Sequence, residues 1–144
     1  MSWEYNDGGR GAAGYKGETR DCAARAIAIA FGCDYREARK VVAAEQRKRK
    51  RKGGKRESPD RGVMVADMRR IMAAHGWRWV PTMEIGSGCR VHPVKAELPK
   101  GMLILRLARH FAAFADGVVF DTWDSSKEGT ACVYGYWQKE GGAR

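Results

Sequence analysis

The stretch RHFAAFADGVVFDTWD, Arg109 to Asp124, has two short β-rich runs on either side of Asp116-Gly117. Asp-Gly between two such runs is typical of a two-residue hairpin with a type I′ turn. In that hairpin Ala115 pairs with Val118. The stretch therefore predicts two adjacent antiparallel strands, and the turn sets the register of their side chains.

This register brings a histidine and a carboxylate together. Counting outward from the turn makes His110 and Asp121 diagonal neighbours whose side chains leave the same face of the sheet. A one-residue slip would put them on opposite faces. A carboxylate beside an imidazole fixes the tautomer of the ring and supports its protonated form. The two residues are therefore a candidate catalytic pair, and a structural histidine and a turn-forming aspartate are the alternatives.

A cysteine stands where the first predicted helix begins. In TRDCAARAIAIAFG, Asp21 is a typical N-cap and Gly32 a typical C-terminal stop, which predicts a helix over 22–31. Unpaired N–H groups and the positive end of the helix dipole favour a thiolate at such a position. Cys22 is therefore a candidate nucleophile, and packing in the core is the alternative.

The rest of the pattern is helical first and β-rich later. A second helix is capped by Asp34 and runs to about Gln46, and a third spans about Val63–His75. The third carries an apolar stripe typical of a core face, made of Met64, Met68, Ile71 and Met72. Short β-rich runs follow: WRWV, GMLILRL, RHFAAF, GVVFDTW and ACVYGYW. We expect an α+β domain with N-terminal helices packed on a C-terminal antiparallel sheet.

Length and composition predict one domain over residues 1–144. Its glycine-rich opening, 1–18, is either a disordered tail or an element that lies across the site. The sequence has no apolar run of transmembrane length, and its first residues lack the features of a secretory signal. We therefore expect a cytoplasmic protein with no membrane partner and with reduced cysteines.

Much of the formal net charge of +10 lies in the segment 46–62. Its composition cannot bury apolar surface and predicts a mobile loop. A basic block attracts phosphates and acidic groups, so it is a candidate contact for nucleic acid or an acidic partner protein, and a solvated loop is the alternative. The residues concerned are Arg47, Lys48, Arg49, Lys50, Arg51, Lys52, Lys55 and Arg56.

A second cysteine and histidine lie close together in GSGCRVHP, 86–93. Cys89 and His92 have the spacing of two zinc ligands, but a structural zinc site needs four, and the sequence has no second paired motif. We therefore expect no metal and no cofactor. The nearby glycines predict an exposed loop. If that loop borders the active site, both residues are candidates for substrate contact.

The order of Cys22, His110 and Asp121 resembles that of the papain-like cysteine peptidases. More narrowly, DCAARAIAIAFG and RHFAAFADGVVFDTW look like compact bacterial peptidases of that fold, and like small proteins carried by bacteriophages and prophages. The resemblance covers the first helix and about 99–136. It implies a papain-like fold and, for a phage protein, a place in the host cytoplasm.

The resemblance also implies roles for the three residues. Cys22 matches the nucleophile, His110 the general base and acid, and Asp121 the residue that orients the imidazole. The family usually has a glutamine shortly before the nucleophile, where its amide helps to hold the oxyanion, and this sequence has none there. The backbone N–H of Cys22 could supply one donor, and the hydroxyl of Thr19 or Tyr15 a second. A further candidate for substrate contact is Trp123.

Two functions follow from these features. The first is a small cytosolic thiol hydrolase, a cysteine peptidase, isopeptidase or amidase, that acts on a peptide or protein substrate. The second is a non-catalytic, phage-type binding or inhibitor protein on the same scaffold, which contacts nucleic acid or a host protein through the basic loop. No aromatic residues are interleaved with the basic block, which weakens the case for single-strand recognition by stacking.

Overall fold

Three α-helices and a six-stranded sheet make up the computed structural model, which describes residues 1–17, 19–48, 57–84 and 86–141. No helix in these ranges is long and apolar enough to cross a membrane. The elements in chain order are β1 (Trp3–Tyr5), α1 (Cys22–Phe31), α2 (Tyr35–Arg47), α3 (Val65–Ala74), β2 (Trp77–Pro81), β3 (Met102–Leu107), β4 (His110–Ala115), β5 (Val118–Asp121) and β6 (Gly135–Lys139).

The helix ends follow local signals in the sequence. Helix α1 has the predicted bounds and ends at Gly32, whose φ of 65° is a left-handed conformation that glycine adopts without strain. The side chain of Asp34 caps α2 by accepting a hydrogen bond of 2.8 Å from the N–H of Arg36. Helix α3 begins later than predicted, because Met64 has an extended backbone and only Val65 starts the helix.

The sheet has the strand order β1-β5-β4-β3-β6-β2, and every neighbouring pair is antiparallel except β1 and β5. The expectation of an antiparallel sheet was therefore wrong at one edge. Strand β1 comes from the glycine-rich opening and pairs in parallel with β5, with Trp3 opposite Val119 and Tyr5 opposite Asp121. The opening is thus part of the sheet, and not a disordered tail.

The hairpin between β4 and β5 confirms the turn prediction. Both turn residues have positive φ, 48° at Asp116 and 90° at Gly117, as a type I′ turn requires. Ala115 pairs with Val118, and Ala113 pairs with Phe120. The register predicted from the Asp-Gly pair is therefore the register of the structure.

The sheet is covered on both faces. The three helices bury one face, with Ile27, Val42, Met68, Ile71 and Trp137 in the resulting core. Met64 is not part of this core, and 53 % of its surface is exposed. Segments outside the helices cover the other face, where the buried side chains include Leu98, Leu103, Leu105, Phe114, Val119 and Val133. Burial on both faces fixes the sheet between two apolar layers.

A disulfide joins Cys89, in the loop after β2, to Cys132, just before β6. The two Cα atoms are 5.6 Å apart, within the usual range for a disulfide. The expectation that all four cysteines are reduced was therefore wrong, because the fold brings together two residues 43 positions apart. Disulfides are typical of oxidising compartments, so cysteine usage no longer supports a cytoplasmic location. Cys22 and Cys33 are free thiols.

The predicted bounds of the mobile loop, 46–62, include structured residues at both ends. Helix α2 continues to Arg47, and the buried side chain of Gln46 donates hydrogen bonds of 3.3 Å to the carbonyls of Ser58 and Gly62. Pro59 is also buried. The residues between, 49–56, lie outside those that the structure describes, with six of the eight basic residues. The contact with nucleic acid or an acidic partner stays a prediction.

Candidate active site

The start of α1, the start of β4 and the end of β5 meet at one end of the strands of the sheet. Cys22 is the first residue of α1, His110 is the first residue of β4, and Asp121 is the last residue of β5. Strands β4 and β5 are antiparallel neighbours, so the start of one lies beside the end of the other. Helix α1 packs against β4, which brings its N-terminal end to the same place. The sequence prediction that Cys22, His110 and Asp121 form a cluster is consistent with this geometry.

The imidazole of His110 lies between the other two side chains. Its Nε2 is 2.6 Å from Oδ2 of Asp121. Since an ionised carboxylate only accepts, Nε2 carries a proton and Nδ1 is the nitrogen left for another partner. Burial lowers the pKa of His110, but the hydrogen bonds and charges of Asp121 and Cys22 outweigh burial and raise it to about 9. The ring is therefore protonated at neutral pH.

Four donors surround the carboxylate of Asp121, which is only 2 % exposed. Oδ1 accepts from the guanidinium of Arg25 and from the backbone N–H of Thr122, both at 2.7 Å. Oδ2 accepts from His110 and from the hydroxyl of Ser125, both at 2.6 Å. Burial raises the pKa of Asp121, but these hydrogen bonds lower it below its ordinary value. The carboxylate is therefore held ionised and in one orientation.

Arg25 connects this carboxylate to a second buried one. Its Nε donates to Oδ1 of Asp21 at 2.9 Å, and its Nη1 donates to Asp121. The other oxygen of Asp21 accepts from the hydroxyl of Tyr35 at 2.5 Å and lies 3.0 Å from Nε of Arg10. Burial raises the pKa of Asp21, but the bonds from Tyr35 and Arg25 lower it below its ordinary value. A network of buried ion pairs and hydrogen bonds therefore holds Asp121 of the candidate triad in place.

The role predicted for Asp21 was wrong. The residue precedes α1, but its side chain makes no capping hydrogen bond to the helix. Its carboxylate is instead held by Arg25 and Tyr35. The N–H groups of the first turn, including that of Cys22, therefore have no side-chain cap from Asp21.

The opening segment closes the back of the site. The backbone N–H of Asn6 donates to the carbonyl of Asp121 at 2.9 Å. Gly8 lies against α1, where an added Cβ would be 2.9 Å from the carbonyl oxygen of Arg25. A side chain at this position would force the segment away from the helix. The segment thus packs against the backbone of Asp121 and Arg25, and its described residues do not line the cleft.

An open cleft of about 1160 Å³ gives access to Cys22 and His110. Thr19 and Trp123, both predicted as contact residues, line it. The indole of Trp123 is 47 % exposed, and its ring centroid is 5.2 Å from that of His110. The exposed Met64 lies on the cleft as well. Both large apolar side chains are available to a bound molecule.

Three other predicted contact residues lie elsewhere, and those predictions were wrong. The ring of Tyr15 packs 5.2 Å from that of Tyr35, outside the cleft. Cys89 is bonded to Cys132 in the disulfide. Nδ1 of His92 lies 3.2 Å from a carboxylate oxygen of Glu97. The loop that carries Cys89 and His92 does not border the site. The nearby glycines correctly predicted an exposed loop, but they did not predict where in the fold this loop lies.

Sequence reasoning missed the residues that support the triad. Asp21, just before α1, and Arg25, in its first turns, are four positions apart, and this spacing is a detectable signal for an ion pair. Ser125 lies in the turn after β5, and nothing local indicates that its hydroxyl reaches Asp121. The partner of Arg25 across the fold, Asp121, is 96 positions away and needs the tertiary structure.

Among the residues that the structure describes, no group of three or more His, Cys, Asp and Glu side chains could hold a metal ion. No family model, curated protein or solved structure matches the chain. What the site can do therefore has to be argued from its own geometry.

Proposed function

We propose that the protein is a thiol hydrolase of the papain-like kind, a cysteine peptidase, isopeptidase or amidase. Cys22 is the nucleophile, His110 transfers the proton and Asp121 orients the imidazole. The observation that carries the proposal is His110, whose Nε2 lies 2.6 Å from Asp121, which shares a cleft with Cys22 and whose pKa is raised by interactions with both residues. A cysteine-bearing helix packed on the strand that bears the histidine supports the papain-like assignment.

In the proposed resting site His110 is protonated. Because the pKa of His110 is about 9, its ring is positive at neutral pH. A positive ring beside a thiol at a helix N-terminus stabilises the thiolate, which is the nucleophilic form. Asp121 holds the imidazole ring in place before substrate arrives, and Arg25 holds the carboxylate of Asp121. The protonated ring and the helix N-terminus therefore both favour the nucleophilic form of Cys22.

The first half-reaction transfers the acyl group. The thiolate of Cys22 attacks the carbonyl carbon of an amide, and the carbonyl oxygen becomes an oxyanion. The proton on Nδ1 of His110 then passes to the leaving nitrogen. The C–N bond breaks, the amine leaves, and a thioester with Cys22 and a neutral imidazole remain.

The second half-reaction restores the site. Neutral His110 takes a proton from a water molecule, whose oxygen attacks the thioester carbon. The C–S bond breaks, the carboxylic acid leaves, and the sulfur returns as a thiolate beside a protonated ring. Asp121 accepts a hydrogen bond throughout and stays ionised.

Two donors are available to the oxyanion. The backbone N–H of Cys22 lies in the first turn of α1, where no helical carbonyl pairs with it. The hydroxyl of Thr19, which lines the cleft, is the second candidate. Removing one oxyanion donor lowers a rate by about 100-fold or more. Thr19→Val, which keeps the shape without the hydroxyl, measures the contribution of this residue.

The test is to trap the nucleophile and to look for product. The protein is incubated with an epoxysuccinyl peptide, and adducts at each cysteine are read by peptide mass mapping. In parallel, mixed cellular peptides are searched for new termini. We expect adducts at Cys22 and new termini that Cys22→Ser abolishes, whereas the matched variant Cys33→Ser retains both. New termini that persist in Cys22→Ser contradict the proposal.

A further inference from the structure

The cleft above Cys22 is rich in arginine. Of the described residues that line it, five are arginines, none is a lysine, and the only carboxylate is that of Glu57. Arginine presents planar, forked donors that match a carboxylate better than the point charge of lysine does. The lining arginines are Arg20, Arg25, Arg61, Arg106 and Arg109.

Two of the five are already engaged. Arg25 is paired with Asp21 and Asp121, and Arg61 also has a partner. The other three have no carboxylate within ion-pair distance in the part of the chain that the structure describes. These three are Arg20, Arg106 and Arg109.

The three flank the reacting groups along the sequence. Arg20 is two residues before Cys22, and Arg109 immediately precedes His110. Arg106 lies on β3, opposite Phe111 of β4. All three line the cleft. Their positive charges therefore act on whatever binds beside the nucleophile.

One of these arginines contacts an aromatic ring, and another has an unusual backbone conformation. The guanidinium carbon of Arg106 lies 5.5 Å from the ring centroid of Tyr134, which also lines the cleft. Arg109 has a φ of 53°, a left-handed conformation that favours glycine and is costly for a side chain such as arginine. A strained residue next to a reacting group is often there for function. Arg106 is therefore positioned by Tyr134, whereas Arg20 and Arg109 are exposed at the cleft.

We propose that the cleft selects peptides with an aspartate or glutamate next to the scissile bond. This inference rests on the proposed thiol hydrolase and names its substrate class. A carboxylate in the cleft accepts charge-assisted hydrogen bonds from guanidinium groups that have no anionic partner among the described residues. A lysine or arginine at the same position is repelled. The exposed Met64 and Trp123 contact the apolar parts of the peptide.

Two alkylating reagents test this charge preference without knowledge of the substrate. Iodoacetate and iodoacetamide transfer the same carbon to a thiolate with loss of iodide, but only iodoacetate carries a carboxylate. We compare the ratio of the two rates at Cys22 with the ratio at Cys33, by peptide mass mapping of the same sample. The ratio cancels differences in thiolate fraction between the two sites.

We expect the iodoacetate-to-iodoacetamide ratio at Cys22 to exceed that at Cys33 by about tenfold at low salt. About 0.5 M salt should remove most of this preference, because exposed charges are screened. Arg106→Gln and Arg109→Gln should each lower the ratio at Cys22 severalfold. The matched control is Arg90→Gln, which removes the same charge at an exposed residue outside the cleft and should leave the ratio unchanged.

The outcomes separate this inference from the proposed hydrolase. Selective alkylation of Cys22 with the same ratio as at Cys33 overturns the acidic preference and leaves the hydrolase standing. Reaction of Cys22 no faster than Cys33 with either reagent overturns both. Where new peptide termini are found, aspartate or glutamate should be enriched beside the cut, and a lack of enrichment also overturns the inference.

Discussion

Replacing Asp121 with asparagine should strongly lower the pKa of His110. The Asp121→Asn side chain has nearly the same size but no charge, and its amide nitrogen cannot accept. In the wild type the pKa is about 9, against an ordinary value of 6.5. That difference corresponds to about 3 kcal/mol in favour of the protonated ring, at 1.36 kcal/mol for each pKa unit. Without the carboxylate, burial dominates, so we expect the pKa to fall to 6.5 or below.

The assay is an NMR titration of the histidine ring nitrogens in uniformly ¹⁵N-labelled protein. His110→Ala identifies the signals, since the chain has three histidines. Above its pKa the wild-type ring should carry its proton on Nε2, the nitrogen bonded to Asp121. The matched control is Ser125→Ala, which removes a hydrogen bond to the same oxygen but keeps the charge and should leave the pKa high. Circular dichroism checks that each variant is folded.

Either of two results would refute this reasoning. The first is a wild-type His110 that titrates near 6.5, because the carboxylate and thiol would then not hold the proton. The second is a folded Asp121→Asn whose His110 still titrates near 9. In that case another group would stabilise the protonated ring, and Asp121 would be a turn residue with no role in the proton transfer.

Three further predictions follow from the same contacts. Because the pKa of His110 is raised in the folded state, its contribution to stability is fully present below 6.5 and is lost as the pH rises through about 9. Urea titrations should show a loss on the order of 2–3 kcal/mol over this range that His110→Gln lacks. Arg25→Met should lower the free energy of unfolding by about 3–5 kcal/mol, because it leaves two buried carboxylates without their shared cation, and an unchanged urea midpoint would contradict this. Joint replacement of Cys89 and Cys132 by serine should cost about 2–4 kcal/mol but leave the alkylation of Cys22 unchanged, because neither residue lines the cleft.

Local chemistry made part of this molecule predictable from sequence. The bounds of α1 follow from a glycine stop, and the hairpin register follows from Asp116-Gly117, whose backbone needs positive φ at both positions. That register was enough to bring His110 to Asp121. Each of these predictions needs only residues within about a dozen positions of one another.

What the sequence did not predict depends on long-range contacts. Strand β1 has three residues and pairs in parallel with a strand more than a hundred positions away, so it has no periodic signal of its own. The disulfide partner of Cys89 could not be chosen from spacing. Tyr15 was a candidate oxyanion donor only because it precedes Cys22, and the fold turns its ring toward Tyr35. Position along the chain does not establish position in space.

The most direct test of the Cys22–His110 pair is the pH dependence of Cys22 alkylation by iodoacetamide, in wild type and in His110→Ala. Peptide mass mapping follows each free cysteine, and Cys33 serves as the internal control. The account predicts that Cys22 of the wild type already reacts rapidly at about pH 6, and that in His110→Ala its reaction becomes appreciable only near the ordinary thiol range, about pH 8.5. Alkylation of Cys22 that is slow at pH 6 and indifferent to His110→Ala would contradict it.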